Sequence, residues 1–241
     1  MVKVVSLLIG KANSTGMPGK NWMPVNGRPA CEYGFLAGKS DKRINYFYVS
    51  TDSDNIAQIG KANGYSLIER PSRLATPEAL TEDALVHAHE AIKDDIGNYD
   101  LMVLLFANNP AINKKLISEG LDKLEKNSAA DSVFSVCQYN MFSPIRARKI
   151  VNGKIESFVD LDIFGDEISS IRSSQGDVYF CDLSVQIIRS RVFDNIEEGS
   201  LPFKWQGKES LPVYNNYGFD IDEDWQKVVV ENWLKNHWND K

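Results

Sequence analysis

Thirteen residues near the N-terminus, Gly10 to Trp22 (GKANSTGMPGKNW), have the composition of an anion site. They follow the apolar run Val4 to Ile9 and place Lys11 and Lys20 among small residues whose backbone N–H groups are exposed. A segment that leaves a buried strand in this way suits phosphates, such as those of a nucleotide. Near the other end of the chain, Asp220 and Asp222 stand two apart. On a strand that spacing turns both carboxylates to one face, an arrangement suited to a hydrated divalent cation, although a polar strand end has the same pattern. Asp-x-Asp alone is common.

Other chemistries find less support. Gly10 to Gly16 is not a Walker A loop: Met17 stands where that motif requires lysine. His87 and His89 lack the i,i+4 spacing of a helical metal site. Cys31, Cys137 and Cys181 form no C-x-x-C pair and read as buried free thiols of a cytoplasmic protein. The formal charge of −6 argues against a nucleic-acid partner. No apolar run approaches a membrane span.

The elements that must position these groups alternate. Strands are expected over Val2–Ile9, Ile44–Ser50, Tyr65–Ile68, Leu101–Phe106 and Asp131–Gln138, with helices over 30–38, 54–63, 81–92 and 114–125. In the second of these helices Asp52 is read as a cap. Such alternation predicts an α/β fold, a doubly wound and mostly parallel sheet of Rossmann-like nucleotidyltransferase type. Ligands of such sheets sit beyond the C-terminal strand ends, where Lys11, Asp52 and Asn108 fall. Residues 140–174 interrupt the pattern with a hairpin turning at Asn152-Gly153 and are expected to be an insertion within a single domain spanning 1–241. Beyond it come a strand at Val178–Cys181, a helix over Ser184–Phe193, a strand near Tyr217–Ile221 and a terminal helix over Asp224–Trp238. Trp225, Trp233 and Trp238 read as packing residues.

The phosphate-loop pattern resembles the signature A-R-x-x-S-K-G-x-P-x-K-N of the acylneuraminate (CMP-sialic acid) cytidylyltransferases, relatives of the CMP-Kdo synthetases. The resemblance runs along most of the chain. It takes in Val49-Ser-Thr-Asp52, Arg70-Pro71 with Leu74-Ala75 and Thr81, Asp131 to Val136, Gln175 to Tyr179, and Phe219-Asp-Ile-Asp222. It implies attack of a sugar hydroxyl on the α-phosphate of CTP with loss of pyrophosphate, where catalysis is chiefly positioning and charge neutralisation. By resemblance, Lys20 and Lys11 supply catalytic charge. Ser14, Gly16, Lys20, Asn21, Arg70 and Thr81 hold the nucleotide, and Asp220 and Asp222 hold Mg²⁺. Phe106, Asn108, Asn109, Arg146, Gln175 and Tyr179 are assigned to the acidic sugar. The structural alternatives are that Asn21 caps a turn, that Arg70 pairs with a surface carboxylate, and that Arg146 is an exposed residue of the insertion. A homodimer is implied, with the insertion reaching the partner's site.

Several positions depart from the family pattern. Lys11 replaces an arginine, Thr15 a lysine, Phe106 a glutamine, Ile112 an arginine and Gln175 an asparagine. A different acidic sugar, a different nucleotide and loss of activity are the competing explanations. Retention of Lys20, Arg70, Asp220 and Asp222 favours a working enzyme with altered sugar choice. The rivals in other classes are a glycosyltransferase using Asp220-Ile-Asp222 and a non-catalytic nucleotide-binding protein.

Overall fold

Continuous apolar runs become strands buried on both faces, and the computed structural model, which describes residues 2–13, 16–165 and 168–238, builds its sheet from them. In chain order the elements begin with β1 (Val4–Gly10), β2 (Pro24–Val25), β3 (Arg28–Pro29), α1 (Ala30–Ala37), β4 (Ile44–Thr51), α2 (Asp54–Ala62) and β5 (Ser66–Glu69). There follow α3 (Thr81–Ile96), β6 (Leu101–Phe106), α4 (Lys114–Lys126) and β7 (Ser132–Gln138). The chain continues through β8 (Arg148–Val151), β9 (Lys154–Ser157), β10 (Tyr179–Arg189), α5 (Arg191–Asp194), β11 (Ser210–Asn215) and α6 (Asp224–His237).

Seven strands form one sheet in the order β11-β7-β10-β6-β1-β4-β5. Its pairings are parallel except where β10 runs antiparallel between β6 and β7. Alternate residues of the strands feed two separate cores. Val5, Leu7, Met102 and Leu104 pack with Leu85, Ala88 and Ile92 of α3 on one face. On the other, Val4, Val103 and Leu105 pack with Leu116, Ile117 and Leu121 of α4, while Leu8 meets Phe35 and Ile56 from α1 and α2. Helices on both faces make the sheet doubly wound, as the alternation predicts.

Two elements differ from expectation. The stretch Ser184–Phe193 is mostly strand, because β10 runs to Arg189 and α5 begins only at Arg191. Apolar Val185, Ile187 and Ile188 are buried in the middle of the sheet, and this burial overrides local helical tendency. The last strand is Ser210–Asn215 rather than Tyr217–Ile221. It carries Pro212 and is an edge strand, where a missing N–H is tolerated.

Between β7 and β10 the chain makes an excursion of short 3-10 turns and the separate hairpin β8–β9. Asn152 and Gly153 both have positive φ (49° and 74°), as a tight type I′ hairpin turn requires. The excursion exposes Met141, Ile150, Ile155, Phe158 and Ile163. Among the described residues no helix is long and apolar enough to cross a membrane.

Candidate active site

The parallel strands β1, β4 and β6 end at one edge of the sheet, and there the chain opens a cleft of about 440 Å³. Gly10, the last residue of β1, sits where a side chain has no room: a Cβ there would lie 2.6 Å from Ala107 Cβ. The following loop folds back over this point. Gly19 (φ 77°) turns the chain, and its carbonyl accepts from the N–H groups of Trp22 and Met23 at 3.1 and 2.9 Å. Buried Asn21 is no free ligand donor alone, since its Nδ2 holds the carbonyl of Lys11 at 2.7 Å and so ties the end of the loop to its beginning.

Asp52 is a site-forming residue that the sequence reading assigned to a helix cap. Ser53 caps α2 instead, accepting from the N–H of Ile56. Asp52 Oδ1 receives the N–H of Ala12 at 2.8 Å, pinning the first turn of the loop to the end of β4. Its negative charge favours the charged forms of both Lys11 and Arg70.

Three cations line the cleft: Lys11, Lys20 and Arg70. Arg70 is buried, with Nε and Nη2 on the side-chain oxygen and carbonyl of Ser50 at 3.3 and 2.8 Å. Burial lowers its pKa, with Asp52 opposing. This excludes the alternative of a surface ion pair. Lys11 Nζ donates to the carbonyl of Thr76 at 2.8 Å, and burial, then the charge of Arg70, lowers its pKa. Positive charge forced together in a partly desolvated cleft is an arrangement relieved by an anion.

The two aspartates face this cation group. They are not on a strand, because residues 217–222 are irregular. Both nevertheless line the cleft, brought there by anchors on either side. The N–H of Ile221 donates to the carbonyl of Asn108 at 2.8 Å, and the Ile221 side chain is buried against Val230 and Leu234 of α6. Glu223 and Gln226 form a capping box, and Gln226 Oε1 also receives the N–H of Asp222 at 2.6 Å. Asn108 Nδ2 donates to Asp220 Oδ2 at 3.2 Å, and Lys20 Nζ donates to Asp222 Oδ1. Burial first, then the charge of Asp222, raises the Asp220 carboxyl above its ordinary range.

The cleft thus gathers Lys11, Lys20, Asn21, Arg70, Thr81, Phe106, Asn108, Asp220 and Asp222. Gly16 borders it, since a Cβ at Gly16 would lie 3.7 Å from the backbone oxygen of Asp222. Ser14 and Thr15 lie outside the described residues. Four residues assigned to the sugar are not brought to the cleft. Asn109 is buried behind it, with Nδ2 on the carbonyl of Asp182 and on Ser184 Oγ, each at 3.3 Å. Arg146 and Gln175 bond each other at 2.7 Å within the excursion, and Tyr179 is half-exposed with its ring against Tyr214. Ile112 is a core residue, fully buried with α4. Trp233 and Trp238 pack as expected, on Tyr217 and Tyr33, whereas Trp225 is half-exposed. Leu80, which precedes α3, and Ala84 within α3 join Phe106 in an apolar wall of the cleft; nothing local in the sequence distinguishes the first two from ordinary apolar residues.

Among the described residues no group of three or more His, Cys, Asp or Glu side chains is placed to hold a metal unaided. A two-carboxylate site fits a cation that takes its remaining ligands from water and phosphate oxygens.

Comparison with known proteins places the fold and the family. The family described as Cytidylyltransferase matches residues 10–151. An N-acylneuraminate cytidylyltransferase of Oncorhynchus mykiss is 24% identical over 92% of this chain and 48% of its own length. An 8-amino-3,8-dideoxy-manno-octulosonate cytidylyltransferase of Shewanella woodyi is 27% identical over 52% of this chain and 49% of its own. The chain therefore spans about half the length of these curated relatives. A solved CMP:2-keto-3-deoxy-manno-octonic acid synthetase complexed with CTP shares the fold, with TM-score 0.68, 15% identity and coverage of 97% of this chain and 98% of that one. With a family match that spans more than half of its residues, the chain belongs to the cytidylyltransferase family.

Proposed function

We propose that this protein couples CTP to an acidic sugar of the sialic-acid or related nonulosonate type, yielding a CMP-sugar and pyrophosphate. The observation that carries the reading is the convergence of Lys11, Lys20 and Arg70 with the Asp220–Asp222 pair in one cleft at the strand ends. In the reaction a sugar hydroxyl oxygen forms a bond to the α-phosphorus, the bond from that phosphorus to the bridging oxygen breaks, and pyrophosphate leaves. The hydroxyl proton passes to solvent or to a basic group. Lys11 and Lys20 neutralise charge on the phosphates, and Arg70, held rigidly by Ser50, presents a fixed cation beside them. Phe106, Leu80 and Ala84 give the cleft an apolar wall.

Mg²⁺ belongs to the same proposal, held by Asp220 and Asp222. The fit rests on geometry: Asp220 and Asp222 line the same cleft, and the pKa of the partly buried Asp220 carboxyl is raised by desolvation and by the charge of Asp222. Bound there, the ion stabilises charge on the leaving phosphates. The proposal extends to a cytoplasmic homodimer. The exposed apolar side chains of the excursion between β7 and β10 support a partner surface, and the Arg146–Gln175 pair then reaches the acceptor end of the neighbouring cleft to meet the sugar carboxylate.

Pyrophosphate release measured with each nucleoside triphosphate and a panel of sugar acids tests this. CTP-dependent release that requires both the sugar acid and Mg²⁺ supports it. Turnover of a UDP-sugar without pyrophosphate would mark a glycosyltransferase, and binding without turnover a non-catalytic relative.

A further inference from the structure

The antiparallel strand β10 carries an irregularity with no counterpart elsewhere in its pairing with β7. Cys181 pairs with Val136, but the next pair is Gln186 with Phe134, so extra residues of β10 are accommodated opposite Ser135. Leu183 takes φ 56°, a conformation uncommon for a side chain of its size. Bulges of this kind re-aim side chains and are frequent beside active sites.

Asp182 fills the bulge. Its carboxylate accepts from Ser135 Oγ, from Cys137 Sγ at 3.0 Å, from Asn215 Nδ2 at 3.1 Å and from the N–H of Ser184 at 2.8 Å. Those donors come from β7, from β11 and from β10 itself. Its backbone oxygen receives Asn109 Nδ2 at 3.3 Å. The neighbour of Asn109, Asn108, holds both Asp220 and the backbone of Ile221. On the other side, Gly218 lies flush against Asp182, where an added Cβ would fall 2.4 Å from Cγ and 2.7 Å from Oδ2. Asp182 does not itself line the cleft.

We infer that Asp182 is the positioning residue of the Asp220–Asp222 segment, setting where that irregular stretch leaves the sheet and so how its carboxylates address a divalent cation. The segment lacks strand or helix hydrogen bonds of its own, so its path is fixed by what it rests on. It begins at Asn215, bonded to the Asp182 carboxylate, and passes over that carboxylate at Gly218, the one residue type the gap admits. Tyr139 Oη then donates to the Gly218 carbonyl at 3.3 Å before Asp220 is reached. The inference rests on the metal reading above.

The test is Mn²⁺ titration, followed by the EPR signal of free ion, of wild type, Asp182→Asn, Gly218→Ala and Cys137→Ser in the presence of a nonhydrolysable CTP analogue. Thermal melts run alongside establish that each variant is folded. Asp182→Asn places a donor amide among donors, and Gly218→Ala drives a methyl into the carboxylate. Each is expected to weaken Mn²⁺ binding about tenfold. Cys137→Ser keeps a donor to Asp182 and is expected to bind as wild type does. Wild-type affinity in folded Asp182→Asn and Gly218→Ala overturns the inference alone. Should Asp182→Asn fail to fold, Gly218→Ala decides in the same way. Absence of Mn²⁺ binding by wild type overturns the metal reading and this inference with it.

Discussion

Lys20 and Asp222, 202 positions apart in sequence, form an ion pair across the mouth of the cleft. The lysine side chain is 15% exposed and the aspartate 52%, so solvent screens the pair and its net worth is about 0–1 kcal/mol. Under the proposed reading it is a resting contact: a phosphate competes for the lysine and a cation for the aspartate, and opening it costs little.

Removing either partner should therefore spare stability and cost turnover. Lys20→Ala is expected to lower kcat/KM for CTP by about a hundredfold, the usual scale for a lost charge-stabilising donor. Asp222→Asn should abolish the metal-dependent rate while melting within a few degrees of wild type. Steady-state kinetics with melting curves check both, and wild-type rates in the two variants would place the active site elsewhere.

Arg70 offers a sharper test of geometry than of charge. Its planar fork reaches two acceptors on Ser50, which a lysine amine on a flexible stem cannot duplicate. Arg70→Lys is expected to destabilise the fold by about 1–3 kcal/mol, from buried polar groups left unpaired. It should also raise KM for CTP. Denaturant unfolding and initial rates measure the two effects, and retention of both wild-type values would mean that the fork is not needed.

Gly10 joins the first strand to the proposed phosphate loop where Ala107 Cβ leaves no space for another carbon. Gly10→Ala must push the loop away from β6, an overpacking that costs about 1–3 kcal/mol. Loss of nucleotide affinity should accompany the lower melting temperature. Calorimetric titration with CTP would show this, and unaltered affinity would count against the loop as phosphate site.

At the opposite end of the sheet, buried His89 bonds Tyr99 Oη at 2.8 Å through Nδ1 and Asp194 Oδ1 at 3.1 Å through Nε2. Burial depresses its pKa despite the opposing pull of Asp194. The unfolded chain, with an ordinary imidazole near 6.5, then takes up the proton first. Stability from this site is fully present above about pH 6.5 and declines as pH falls toward the depressed value. His87 is shifted the same way by its own burial, so the comparison of interest is with His89→Gln. That variant should melt lower at pH 7.5 and lose less between pH 7.5 and 5.5. Parallel melting-temperature curves for the two proteins would refute the assignment.

Features that depend on near neighbours were legible in the sequence. The apolar runs of β1 and β6, the turn at Asn152-Gly153 and the start of α2 follow from local burial and turn chemistry. Lys11, Lys20 and Asn21, picked out by type and spacing, all line the cleft. The route by which β10 enters the sheet was not legible, since a short apolar run reads as helix or strand until its burial partners are known. Nor was the role of Asp52, because which donor meets its carboxylate is settled by the packing of β4 beside β1.

The amino-acid order by itself determined the parallel α/β plan, the glycine- and lysine-rich loop after the first strand and the presence of two late aspartates, all properties of contiguous residues and their hydrophobic period. Only the tertiary structure decided that those aspartates leave the sheet irregularly yet meet Lys20, that Asn109 and Ile112 are buried away from the cleft, and that Arg146 pairs with Gln175 away from it. The physical reason is one of range: hydrogen bonds and ion pairs between distant segments depend on how strands are ordered in the sheet. That order is set by burial summed over the whole chain, which no short window of sequence contains.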